Sequence, residues 1–94
     1  MIDPHKFIKF LKNNKINFFA GVPDSTLKNF TGLLENKKEI KHYSVYNEGS
    51  AVSLAVGYHL ATKKIACVYL QNSGLSNAIN PLVSIAHKKV YSIP

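Results

Sequence analysis

Along this chain the spacing of apolar positions switches repeatedly between helical and strand periods. Asp3-Pro4 opens a helix, because an Asp side chain can cap free N–H groups and Pro suits the first helical position. Phe7, Ile8 and Leu11 then share one helical face, and Asn13-Asn14-Lys15 ends it. Ile16–Ala20 (Ile-Asn-Phe-Phe-Ala) predicts a short strand, and Gly21-Val22-Pro23 a turn. A second helix starts from a cap at Asp24 or Ser25, with Leu27, Phe30 and Leu34 on one face. Ile40–Val45 predicts a second, less apolar strand.

A third helix follows from Glu48 to about Ala61. It is rich in small residues: Gly49, Ser50, Ala51, Ser53, Ala55, Gly57 and Ala61. Each glycine weakens a helix by roughly 1 kcal/mol, so close approach of another backbone is expected there. Ile65–Leu70 is apolar throughout, the pattern of a strand covered on both faces. Gln71–Gly74 is a polar loop, and Leu75–Ala86 is helical. Pro81 either kinks that helix or, with Asn80, starts a new one. Val90–Ile93 predicts a fourth strand.

The order αβαβαβαβ, with short connections and right-handed crossovers, gives an α/β fold: a three-layer open parallel sheet. Ending inside a strand reads as a truncated domain, since a closing helix is expected next. The 94 residues suffice for one small domain. Such a chain buries only about 60–65% of its unfolded surface, so partner surface would add stability.

Composition narrows the function. With 46% hydrophobic and 18% charged residues, disorder is not expected. The net charge of +7 invites a nucleic-acid reading, but all twelve basic residues are Lys, scattered along the chain. Bidentate phosphate or guanine recognition uses Arg, so a solvated Lys-rich surface is expected and no nucleic-acid partner. The single cysteine, Cys67, lies in an apolar run and cannot form an internal disulfide. A buried, unreactive thiol in a reducing, cytoplasmic compartment is expected. No apolar run approaches the ~20 residues of a membrane span. The first residues contain Asp3 and no apolar core, so a signal peptide is not expected either.

In open α/β sheets, ligands bind beyond the carboxyl ends of the strands. Three polar segments collect at that edge: Gly21-Val22-Pro23-Asp24-Ser25, Asn47-Glu48-Gly49-Ser50 and Gln71-Asn72-Ser73-Gly74. Glu48 stands where a strand hands over to an apolar helix. The helix dipole favours a carboxylate in a first turn by about 0.3–1 kcal/mol, which is a sufficient structural reason. The functional alternative is a carboxylate aimed into a crevice to share a proton with a ligand nitrogen. Ser73 lacks a Gly-x-Ser-x-Gly elbow and a His–Asp pair, so it is not read as a nucleophile. His5, His42, His59 and His87 lack metal-ligand spacing, and no Gly-x4-Gly-Lys phosphate loop occurs.

Taken in order and at their spacing, these segments carry a resemblance. They are Gly21–Ser25, Asn47-Glu48-Gly49-Ser50-Ala51-Val52, Gly57-Tyr58-His59-Leu60-Ala61, Gln71-Asn72-Ser73-Gly74-Leu75 through Asn80-Pro81-Leu82, and Tyr91–Pro94. From about Ile16 onward the chain resembles the thiamine-diphosphate-dependent 2-oxo acid decarboxylases. Within them it is most similar to the phosphonopyruvate decarboxylases, with the sulfopyruvate decarboxylases close behind. A non-catalytic binding module is the alternative in a different class.

The resemblance implies that residues 1–94 are the N-terminal part of a pyrimidine-binding domain. It implies that Glu48 hydrogen-bonds a ring nitrogen of the cofactor's aminopyrimidine, and so promotes loss of the thiazolium C2 proton. That carbon attacks the 2-oxo carbon of phosphonopyruvate, and the thiazolium accepts the electrons as CO2 leaves. Protonation and release give phosphonoacetaldehyde. Gly21, Val22, Pro23, Asp24 and Ser25 are expected to line the substrate side, where a helix N-terminus offers N–H groups to an anion. Asn72, Ser73 and Gly74 are expected to line the pyrimidine edge. In this family a second domain holds the diphosphate and Mg2+ through a Gly-Asp-Gly run and a downstream Asn, neither of which lies in these residues. The chain alone is therefore expected to be inactive and to need that domain or subunit, within a homo-oligomer. Two departures stand out: the relatives carry Gly where Lys63 and Ser76 stand here.

Overall fold

The computed structural model describes residues 3–35 and 37–86, so the expected strand Val90–Ile93 lies outside them. Helix α1 (Pro4–Asn13) starts as its sequence dictates, with the Asp3 carboxylate accepting from the His5 N–H at 2.9 Å. Ile8 and Leu11 are buried, while Phe7 stays at the rim against Phe30, with ring centroids 5.9 Å apart.

Strand β1 (Phe18–Gly21) begins two residues later than its apolar run. The cause is local: Lys15 takes a left-handed φ of 65°, and the Ile16 N–H still bonds the Leu11 carbonyl at 2.9 Å. A 3-10 turn over Ser25–Leu27 leads into the short helix α2 (Lys28–Leu34). Strand β2 (Lys41–Ser44), helix α3 (Glu48–Thr62), strand β3 (Cys67–Tyr69), a 3-10 turn over Asn72–Gly74 and helix α4 (Leu75–Ala86) complete the described chain.

The sheet is parallel with order β2-β1-β3, so the first strand is central. Successive β1 side chains take opposite faces. Phe19, fully buried, joins Ile8, Leu11, Leu34, Ile40 and Tyr69. Phe18 and Ala20 join Ala51 of α3, with Tyr58 and Val68 packed against them. Phe18 stacks on Tyr58 at a centroid distance of 4.2 Å. Helices therefore cover both faces, and the expected α/β three-layer architecture is observed. Burying a side chain of this size contributes about 2–3 kcal/mol.

Helix α3 is capped by Asn47, whose Oδ1 accepts from the Gly49 N–H at 2.7 Å. It ends at Lys63 with a left-handed φ of 63°, a conformation that glycine adopts without a steric penalty. The close approach expected of its small residues is met at one end only. A Cβ on Gly49 would lie 2.9 Å from the Asn77 carbonyl oxygen, whereas one on Gly57 would meet open space. Helix α4 runs as one element through Pro81, with no new start there. Pro81 removes the N–H that would bond the Asn77 carbonyl four residues back, and that carbonyl is the one lying against Gly49. Strand β3 is shorter than its apolar run. Tyr69 is buried, Cys67 and Val68 are half-buried, and Ile65 is 50% exposed. No helix among the described residues is long and apolar enough to cross a membrane.

Candidate functional site

The register ends all three strands at one level, with Gly21 paired to Ser44 on one side and to Tyr69 on the other. The three polar segments therefore leave the sheet from a common edge. In the first, Gly21 is buried and Val22 and Asp24 are half-buried, while Pro23 and Ser25 are exposed. The Asp24 carboxylate accepts from the Thr26 N–H at 3.2 Å and from the Thr26 hydroxyl. Asp24 is thus the cap of its turn, and the N–H expected to face an anion is satisfied by the chain itself.

Glu48 occupies the first position of α3 and is only 7% exposed. It is the buried charged side chain of the described core. Its Oε2 accepts from Asn77 Nδ2 at 3.0 Å. Its Oε1 lies so close to Gly74 that a Cβ there would overlap it. Gly74 is buried, while Asn72 and Ser73 are exposed on the same 3-10 turn. Of the expected cofactor residues, the structure thus brings Glu48 and Gly74 into contact and holds Asn72 and Ser73 beside them. Gly21–Ser25 share the edge but form no hydrogen bond with Glu48 among the described residues.

Asn77 was not among the residues singled out by the pattern. It sits inside a helical stretch, where Asn competes with the backbone and is poorly favoured. Nothing in the local sequence marks it, since Ser76 and Asn80 of the same helix are polar too.

A groove of about 890 Å³ runs along α3, lined in part by Asn47, Gly49, Ser50, Gly57, Tyr58 and Pro81. The Gly57 that meets no backbone opens into it. On the other face of the sheet, His42 Nε2 and the Tyr69 hydroxyl are 2.6 Å apart, joining β2 to β3 across β1. Burial pushes the His42 imidazole below its ordinary range and the Tyr69 phenol above its own. Burial also raises the Cys67 thiol. At the surface, Lys12 pairs with Glu39 and holds that carboxyl below the usual range.

Residues 5–94 match the family model described as thiamine pyrophosphate enzyme, N-terminal TPP binding domain. The chain belongs to this family. The sulfopyruvate decarboxylase subunit alpha of Methanocaldococcus jannaschii is 38% identical over 84 residues, covering 89% of this chain and 48% of that protein. The phosphonopyruvate decarboxylase of Streptomyces hygroscopicus is 32% identical over 87 residues, covering 93% of this chain and 21% of that protein. The chain spans about half the length of the curated sulfopyruvate decarboxylase relatives and about a fifth of the phosphonopyruvate decarboxylase ones. Among solved structures, benzoylformate decarboxylase from Polynucleobacter necessarius superposes with a TM-score of 0.78 over 93% of this chain and 16% of its own. At 22% identity that likeness speaks for the fold alone. The TPP-enzyme family and fold expected from the sequence motifs are those found.

Proposed function

We propose that this chain is the pyrimidine-binding part of a thiamine-diphosphate-dependent decarboxylase of a three-carbon 2-oxo acid with an anionic group on C3. Phosphonopyruvate is the substrate favoured by the Asp24-Ser25 loop; sulfopyruvate is favoured by the 38% identity to a subunit so named. One observation carries the reading: Glu48 is a buried carboxylate at a strand-to-helix junction, facing a glycine whose missing Cβ leaves it room. Such an acceptor is costly to bury unless it serves a hydrogen-bonded partner.

The residues fit the cofactor. Glu48 would accept from, or share a proton with, a ring nitrogen. Ser50 lacks the bulk to block a flat ring, while the side-chain space at Gly49 and at Gly74 is taken by α4 and by Glu48 itself. When bound, thiamine diphosphate supplies a carbon nucleophile and an electron sink for the departing carboxylate. The chain's part is to orient the ring, to hold that proton at Glu48, and to keep the strand edge open to substrate. Asn72 and Ser73 would border the pyrimidine, and Gly21–Ser25 the substrate. The net charge of +7 favours approach of a polyanionic substrate.

Diphosphate and Mg2+ would be held by a second domain or partner subunit. The relatives named subunit alpha support a partner chain. Residues 1–94 would then be the N-terminal part of the pyrimidine-binding domain, acting in the cytoplasm within a larger oligomer.

The test is to combine the chain with a diphosphate-binding partner carrying Gly-Asp-Gly and to measure CO2 release from phosphonopyruvate and sulfopyruvate. Turnover that needs thiamine diphosphate and is lost in Glu48→Gln supports the reading. Its ratio between the two acids names the substrate. No turnover of either acid with any such partner rejects the reading.

A further inference from the structure

Glu48 has two oxygens with different surroundings. Oε2 receives the Asn77 side-chain amide at 3.0 Å, whereas Oε1 faces Gly74 and receives no hydrogen bond among the described residues. Asn77 is itself exposed, yet its amide turns inward to the buried carboxylate instead of outward to water. The helices carrying the two residues are held at short range by a second feature. Gly49, next to Glu48, admits the Asn77 carbonyl and the Pro81 ring, which would lie 2.9 Å and 3.6 Å from a Cβ there. The Asn77 backbone and side chain therefore both dock on the first turn of α3.

From this we propose that Asn77 is a positioning residue for Glu48: it occupies Oε2, fixes the rotamer, and leaves Oε1 as the oxygen presented to a ligand nitrogen. The inference rests on the functional reading above for what Oε1 faces, but not for the Asn77–Glu48 pairing. An amide donor to one carboxylate oxygen removes the rotational choice between the two oxygens. Without it, a carboxylate beside a residue with no side chain has space to turn. Misplacement of a reacting group by about 1 Å can cost about 100-fold in rate. Asn77 touches no substrate in this assignment, so it acts through Glu48.

Two measurements test it. In the full chain, the 15N–1H signals of the Asn77 side-chain amide report the pairing. They shift in Glu48→Ala and stay near their wild-type positions in Glu48→Gln, whose side-chain oxygen still accepts. Signals that do not move in Glu48→Ala overturn the assignment. In the enzyme assembled with its diphosphate-binding partner, Asn77→Asp and Asn77→Leu keep the size of the side chain but lose the donor. They lower kcat by at least about tenfold, while KM for the 2-oxo acid stays within about twofold. Asn77→Gln, which keeps a donor, recovers part of the loss. A rise in KM at unchanged kcat, or an activity loss that only follows a fall in melting temperature, overturns the positioning role. If no partner gives turnover, the functional reading fails on that result, and the amide signals still decide whether Asn77 holds Glu48.

Discussion

The ring of Tyr69 fills the space that a Cβ on Gly21 would need. The Tyr69 side chain and its carbonyl oxygen both crowd that point, so Gly21 is where β3 can lie flush against the end of β1. Gly21→Ala must move either an aromatic ring in the core or the backbone of a paired strand. Overpacking of this kind costs about 2 kcal/mol, or roughly 10 °C in Tm for a domain of this size. Thermal unfolding of the variant checks it, and an unchanged Tm would mean that the strands are not so close.

Gly74 stands in the same relation to Glu48, with a flexible carboxylate in place of a ring. Gly74→Ala should displace the carboxyl group. The two sites then couple: the destabilisation by Gly74→Ala shrinks when Glu48 is already Ala. A coupling of about 1 kcal/mol is expected from a double-mutant cycle of denaturant unfolding.

The pair His42–Tyr69 gives stability a pH dependence. Burial lowers the folded-state pKa of His42 below its ordinary value of 6.5. The unfolded chain then binds a proton more readily than the folded one, so stability rises with pH in that window. The contribution is intact above pH 6.5 and is lost as pH falls from there through the folded value. Unfolding curves between pH 7 and pH 5 should therefore steepen in their loss of stability for the native chain and flatten for His42→Gln.

Cys67 packs half-buried against the α1–α2 side of the core, and its thiol is raised by burial. Thiolate is the reactive form, so alkylation at pH 7.5 should be slower than for a free thiol. Adding denaturant should restore the ordinary rate. Iodoacetamide labelling followed by mass spectrometry measures both.

Most of the architecture was legible because short-range signals agreed. Asp3 and Asp24 cap helical turns where their side chains can reach free N–H groups, and apolar spacing marked α1 and the strands. Glu48 was legible as a junction residue. The errors lie where tertiary contact overrode local preference. A glycine read as a turn became the last residue of β1, because Tyr69 needed its missing Cβ. Pro81 left the shape of α4 open, since propensity says that a proline disturbs a helix but not whether packing against Gly49 will keep it. Gly57 looked like a contact point and instead borders a groove. Asn77 could be found only by seeing two helices side by side.

The strand order also bears on how the chain acquires its structure. Its centre is the strand made first, and its two neighbours are made later: Phe18 pairs with Lys41, and Phe19 with Cys67. A chain emerging from the ribosome must hold both edges of β1 unpaired until β2 arrives and one edge until β3 follows, and must leave Phe18 bare until α3 brings Tyr58. Contacts that close such long loops form slowly, and unpaired strand edges are where nascent chains associate wrongly. The window of vulnerability therefore closes only with the synthesis of β3, when the Tyr69 ring reaches Gly21.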